Sequence, residues 1–162
     1  MPPEEVTNCF TVHGASLSYG DGHTSWQMTP DRIVCVGEAT TESSGGGEDW
    51  VLCVLTDLHG TWVEASLYST GRNDALQWLS TVLGASLEVK LANAPPFRSR
   101  VMWPRGLEDR SLFEYQAPLL RRTFSRGLRR LGLAPWRGVQ TVRPAVLTYL
   151  WRTPRHTASR SA

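Results

Sequence analysis

Two apolar runs lying close together constrain this chain more than any other feature. Residues 50–56 read Trp-Val-Leu-Cys-Val-Leu-Thr, and residues 61–68 read Thr-Trp-Val-Glu-Ala-Ser-Leu-Tyr. The first is strongly apolar and the second alternates in part, as strand segments do. Between them stands Asp57-Leu58-His59-Gly60, a tight loop closing on a glycine, the residue that adopts positive φ without steric cost. The pattern predicts an antiparallel hairpin.

A helix is predicted directly after it, over residues 73–83. Asn73 or Asp74 supplies a side chain suited to capping its start, and Gly84 a left-handed stop. Ala75, Leu76, Leu79, Val82 and Leu83 fall at helical spacing. The Leu76/Leu79/Leu83 side is therefore expected to pack on the sheet. Trp78 lies off that stripe and is expected to face a second layer, a partner or the basic segment.

Upstream, short strand-like runs fall at residues 10–19, 24–28 and 32–39. They are separated by Gly20-Asp21-Gly22 and by the turn Thr29-Pro30-Asp31. The third run carries apolar residues on both faces. Ser43-Ser44-Gly45-Gly46-Gly47 reads as a flexible loop. Downstream, residues 87–92 read as a further strand, broken by Asn93-Ala94-Pro95-Pro96, and residues 107–115 are ambiguous between helix and strand. The fold class expected is α+β: an antiparallel meander of about four or five strands closed by one helix, plus a basic amphipathic C-terminal helix. The boundaries drawn are a flexible N-terminus at 1–8, an acidic α+β domain at 9–116, an arginine-rich arm at 117–152 and a disordered tail at 153–162.

Apolar residues make up 41% of the 162 and charged residues 20%, a balance that supports a packed core and argues against a disordered chain. No apolar run is long enough to span a bilayer, and the acidic start Met1-Pro2-Pro3-Glu4-Glu5 lacks the apolar centre of a secretory signal. Cys9, Cys35 and Cys53 have no CxxC spacing, and two of them sit inside strand-like runs. Buried thiols in a reducing, cytoplasmic setting are the expectation.

Charge is segregated along the chain. Residues 1–116 carry 7 basic and 15 acidic residues, 7 − 15 = −8, and the last acid is Glu114. Residues 117–162 carry ten arginines and no acid. Within that stretch Leu120, Phe124, Leu128 and Leu131 recur at spacings of four, four and three, among Arg121, Arg122, Arg126, Arg129 and Arg130. The pattern predicts a basic amphipathic helix that opens at Ala117-Pro118 and ends near Gly132. Trp136 follows among arginines, a pairing suited to protein interfaces and to single-stranded nucleic acid.

No constellation for catalysis stands out. Gly45-Gly46-Gly47 runs into Glu48 and Asp49 with no lysine nearby, unlike a phosphate loop. His13, Asp21 and His23 converge only if a hairpin brings them together, and Asp57 and His59 flank a loop tip where solvent opposes a perturbed pKa. The expectations are therefore no catalytic residue, no metal and no cofactor. The function expected is a non-catalytic interaction or assembly protein. Its arm would dock on a larger protein partner through Leu120, Arg121, Arg122, Phe124, Arg126, Leu128, Arg129, Arg130, Leu131 and Trp136. The alternative is binding of nucleic acid or an anionic membrane surface by the same arm.

Overall fold

Successive side chains of a strand point to opposite sides of its sheet, so a strand apolar at every position needs cover on both faces. Residues 35–40 and 50–55 come close to this: apart from Gly37, Glu38 and Thr40 they are apolar, all but the half-buried Val51 are buried, and they organise the molecule. In the computed structural model, which describes residues 8–42, 48–116 and 139–153, the chain is a mixed α+β protein built on antiparallel sheets. The strands are β1 (Cys9–His13), β2 (Ser16–Gly20), β3 (Ser25–Met28), β4 (Cys35–Glu42), β5 (Glu48–Leu55), β6 (Trp62–Ser66), β7 (Ser99–Trp103), β8 (Phe113–Gln116) and β9 (Val139–Val142). The helices are α1 (Arg72–Leu83) and α2 (Pro144–Arg152). Among the described residues, no helix is long and apolar enough to cross a membrane.

The central sheet has the order β6-β5-β4-β7. Val36, Trp50, Leu52, Val54, Ala65 and Met102 line one face. The three-stranded meander β1-β2-β3 and α1 cover it, with Leu17, Met28 and Leu79 fully buried. The other face carries Cys35, Ala39, Cys53, Leu55 and Val101. It is covered by Leu107 and Leu112, by the two-stranded ribbon β8-β9 and by α2, through Phe113, Val142, Val146 and Leu150. The arrangement is a central sheet between two covers. The expected meander of four or five strands with one helix accounts for one cover only; nine strands and two helices are present among the described residues.

The predicted hairpin is β5–β6, paired from Leu55↔Trp62 to Val51↔Ser66. Thr56 donates its amide to the Thr61 carbonyl at 2.9 Å, and Gly60 takes φ +90°. Gly84 ends α1 at φ +61°. The other end of α1 differs from expectation. Its N-cap is Gly71, at φ +74°, and no side chain caps it, neither Asn73 nor Asp74. The buried side also turns by one position: Ala75, Trp78 and Leu79 face the core, while Leu76 and Leu83 are half-buried. Trp78 belongs to the main core, and its indole N–H donates to the Gly14 carbonyl at 3.0 Å, tying α1 to the β1–β2 turn.

Residues 87–92, expected as a strand, pair with no strand, because a buried side chain takes their backbone amides (below). Residues 105–107 form a 3-10 turn, and the ambiguous region ends in β8. Gly37 shows why β4 needs a glycine there. A Cβ would lie 2.6 Å from the Arg100 carbonyl oxygen and 2.7 Å from Leu112 Cδ2, at the point where the β4–β7 register shifts.

Candidate functional site

All ten expected partner-binding residues, Leu120 to Trp136, and the expected helix that carries most of them, lie outside the described residues. The structure does describe the residues on either side of that stretch. Strands β8 and β9 pair antiparallel, with Gln116↔Val139 the last pair and Phe113↔Val142 the first. The stretch 117–138 is thus an excursion between neighbouring strands. Residues 139–152, read from sequence as part of the arm, are packed into the domain through Val142, Val146 and Leu150.

The base of this excursion is built from aromatic and polar side chains. Tyr115 stacks edge-on against Phe97, with ring centroids 5.3 Å apart. Phe97 is 47% exposed and has φ +64°, an uncommon conformation for a bulky residue. Thr40, buried at the middle of β4, imposes it. Thr40 donates its amide to the Arg98 carbonyl at 2.8 Å and accepts the Phe97 amide at 2.8 Å. Its hydroxyl donates to the Pro95 carbonyl at 2.7 Å and accepts the Arg98 amide at 3.1 Å. The Tyr115 hydroxyl, Gln140 Nε2 and Thr141 Oγ1 are shut off from solvent with no hydrogen-bond partner among the described residues. Burial, followed by the neighbouring Cys53 and Glu64, pushes the Tyr115 phenol up to about 12.

The candidate acid–base pair is a loop device. Asp57 accepts the amides of His59 at 2.8 Å and Thr61 at 3.0 Å. Hydrogen bonds from Thr61, its side chain foremost, hold the carboxyl below its ordinary value. The His59 ring instead meets Trp151, whose indole N–H donates to the Leu58 carbonyl at 3.1 Å. The hairpin does not bring the candidate metal ligands together. His13 sits at the turn end of β1, paired with Ser16, whereas Asp21 and His23 follow the far end of β2. Asp21 spends one carboxylate oxygen on the amides of His23 and Thr24, at 2.9 and 2.6 Å. Cys35 and Cys53 are fully buried, unbridged thiols on one face of the central sheet. Burial pushes Cys35 up to about 12 and Cys53 well above its ordinary value.

The strongest electrostatic constellation was not singled out from sequence. Glu38, with no exposed surface, lies on β4 facing the meander side. Its carboxylate accepts Trp50 Nε1 at 2.8 Å, the Lys90 amide at 2.7 Å and the Leu91 amide at 3.2 Å. Arg100 on β7 adds Nε at 3.0 Å and Nη2 at 2.8 Å. The same guanidinium donates Nη2 to the Glu88 carbonyl and Nη1 to Asp109 at 2.8 Å, and Lys90 completes the chain to Asp109 at 3.3 Å. A buried charge is tolerable when it is paired and its lone pairs are filled, and here five donors fill them. With every lone pair engaged inside the protein, the cluster is an anchor for residues 88–91. The only sequence signal for it is a lone glutamate inside an otherwise apolar run; its partner lies 62 residues away.

No family model matches the chain, and neither a curated protein nor a solved structure matches it.

Proposed function

We propose that the protein is a non-catalytic interaction protein that docks on a larger protein partner through residues 117–138. The observation that carries this reading is the pairing of Gln116 with Val139, which presents a stretch of six arginines and no acid from a fixed base. In the proposed docking helix, Leu120, Phe124, Leu128 and Leu131 enter an apolar groove while Arg121, Arg122, Arg126, Arg129 and Arg130 meet an acidic rim. Trp136 adds an aromatic contact at its end. Exposed ion pairs contribute only about 0–1 kcal/mol each, whereas a fully buried leucine or phenylalanine contributes about 1.5–3 kcal/mol. The apolar stripe therefore supplies most of the binding energy.

The test is affinity capture with the full chain, followed by binding measurements on the purified partner. The control replaces residues 117–138 by a short glycine-serine linker. Truncation at residue 116 is unsuitable because it removes Val142, Val146 and Leu150 from the core. Phe124→Asp is expected to weaken binding more than Arg121→Ala with Arg122→Ala. If the arginine pair abolishes binding, Phe124→Asp preserves it and the affinity falls steeply with salt, the segment binds phosphate on nucleic acid or on a membrane surface.

A further inference from the structure

A bulky side chain seldom occupies the left-handed region of the backbone map, because its Cβ crowds the following carbonyl oxygen. Among the described residues two non-glycines do so, Phe97 at φ +64° and Asp109 at φ +63°. Asp109 has a reason inside the protein, since its carboxylate accepts Arg100 Nη1 at 2.8 Å and Lys90 Nζ at 3.3 Å. Phe97 has no such bond to make. It is 47% exposed, and among the described aromatic rings its own meets Tyr115 alone.

The turn is fixed by groups other than the ring. Pro95 and Pro96 restrict φ at two consecutive positions before it. Thr40 accepts the Phe97 amide on its carbonyl, and its hydroxyl links the Pro95 carbonyl to the Arg98 amide. Asparagine or glycine would occupy the same turn with less strain. A phenylalanine kept in this conformation, with much of its surface in water, points to a function of the ring outside the core.

Position and neighbours indicate what that function is. Tyr115 is one residue from Gln116, whose pairing with Val139 closes the ribbon, so Phe97 stands where residues 117–138 leave the domain and return. Arg98, the next residue, is also exposed and forms no ion pair with a described carboxylate. An apolar ring beside an unpaired guanidinium repeats the chemistry of Phe124 among Arg121, Arg122 and Arg126. Aromatic and arginine side chains are enriched at the energetic centres of protein interfaces, and those fixed before binding lose little freedom on contact.

We propose that Phe97 and Arg98 form a second anchor for the protein partner that residues 117–138 engage, with Phe97 in an apolar pocket and Arg98 against a carboxylate at its rim. The inference rests on the docking role of residues 117–138 and extends that interface onto the folded domain. The partner surface it requires is acidic around two apolar depressions, one for the segment and one for Phe97.

The experiment measures the affinity of the purified partner, obtained by capture with the full chain, for Phe97→Asn, for Arg98→Ala and for the chain with residues 117–138 replaced by a glycine-serine linker. Asparagine tolerates the left-handed turn, so Phe97→Asn removes the ring and keeps the backbone. It is expected to weaken binding about tenfold or more, and Arg98→Ala about threefold. p-Benzoylphenylalanine at position 97 is expected to crosslink to the partner when the complex is irradiated. Weak binding by the linker chain with parental affinity in Phe97→Asn would overturn the second anchor and leave the docking segment standing. The reverse result would overturn the docking segment and leave Phe97 as an interface residue. If the full chain captures no protein that these variants release, both readings fall. The melting temperature of Phe97→Asn is expected to stay within about 4 °C of the parent's; a fall of about 10 °C would make the ring a structural support for Tyr115 and overturn the anchor.

Discussion

Arg100 on β7 grips Glu38 on β4 through two nitrogens, Nε at 3.0 Å and Nη2 at 2.8 Å, against the backbone of residues 88–91. Removing one partner of such a pair leaves an uncompensated buried charge, at a cost of about 3–5 kcal/mol. Arg100→Met is expected to destabilise by that amount in urea unfolding. Buried ion pairs replaced whole by apolar residues are often neutral, but Glu38 also accepts from Trp50 Nε1 and the amides of Lys90 and Leu91. The double variant Glu38→Leu with Arg100→Met is therefore expected to remain clearly less stable than the parent. Recovery of full stability would show that those three donors find water.

Leu79 has no exposed surface, whereas Leu83 on the same helix is only half-buried. Leu79→Ala is expected to cost about 2–5 kcal/mol, and Leu83→Ala distinctly less. Trp78→Phe keeps an aromatic ring but loses the bond to Gly14, so it is expected to cost about 1 kcal/mol beyond the change in volume. Melting curves for the three variants rank the contacts of α1. Equal losses at Leu79 and Leu83 would restore the stripe expected from sequence.

Thr40→Val keeps the shape of the side chain and removes the hydroxyl that links Pro95 to Arg98. The Arg98 amide then loses its acceptor, and a loss of about 1–3 kcal/mol is expected. Phe97 leaves its left-handed conformation once the clamp is gone, which a change in Tyr115 ring shifts would report. An unchanged spectrum would mean that the backbone bonds alone hold the loop.

Stability should fall on the alkaline side. Cys35 and Tyr115 are each raised to about 12, and Cys53 is raised well above its ordinary value, in every case first by burial. In the unfolded chain a thiol titrates at about 8.5 and a tyrosine at about 10. Raised folded-state values mean that the folded form holds more protons above those points. Their contribution is complete below about pH 8.5 and is lost as pH rises toward about 12. Urea midpoints from about pH 7.5 to 10.5 are expected to decline, and Cys35→Ala with Cys53→Ala to flatten the first part of the decline. A constant midpoint in the parent would contradict the burial of the thiols. In native buffer Cys9, which is half-buried, is expected to react with a thiol reagent before the other two.

Local signals carried as far as local physics reaches. The β5–β6 hairpin was legible because its two runs and its turn are contiguous, and Gly60 and Gly84 adopt the conformations their positions implied. The α1 cap was not legible, because Asn73 and Asp74 fit a general preference while the close approach to Phe10 demands a glycine two residues earlier. The second cover was hidden because Cys35, Ala39 and Cys53 say only that a face is buried. What buries it, Val142 and Val146, is supplied about a hundred residues later. Glu38 and Arg100 went unpaired in the sequence for the same reason. The arginine segment is plain in the sequence by composition, and its tethering became visible only when Gln116 and Val139 were seen as partners.

That pairing has a consequence for the covalent chain. It leaves the domain and returns at one place, so a cut anywhere within residues 117–138 would separate the molecule into two fragments without severing any described strand or helix. The smaller fragment would keep β9 and α2, with Val142, Val146 and Leu150 packed on the Cys35/Cys53 face of the central sheet. The ribbon makes the protein a candidate for fragment complementation.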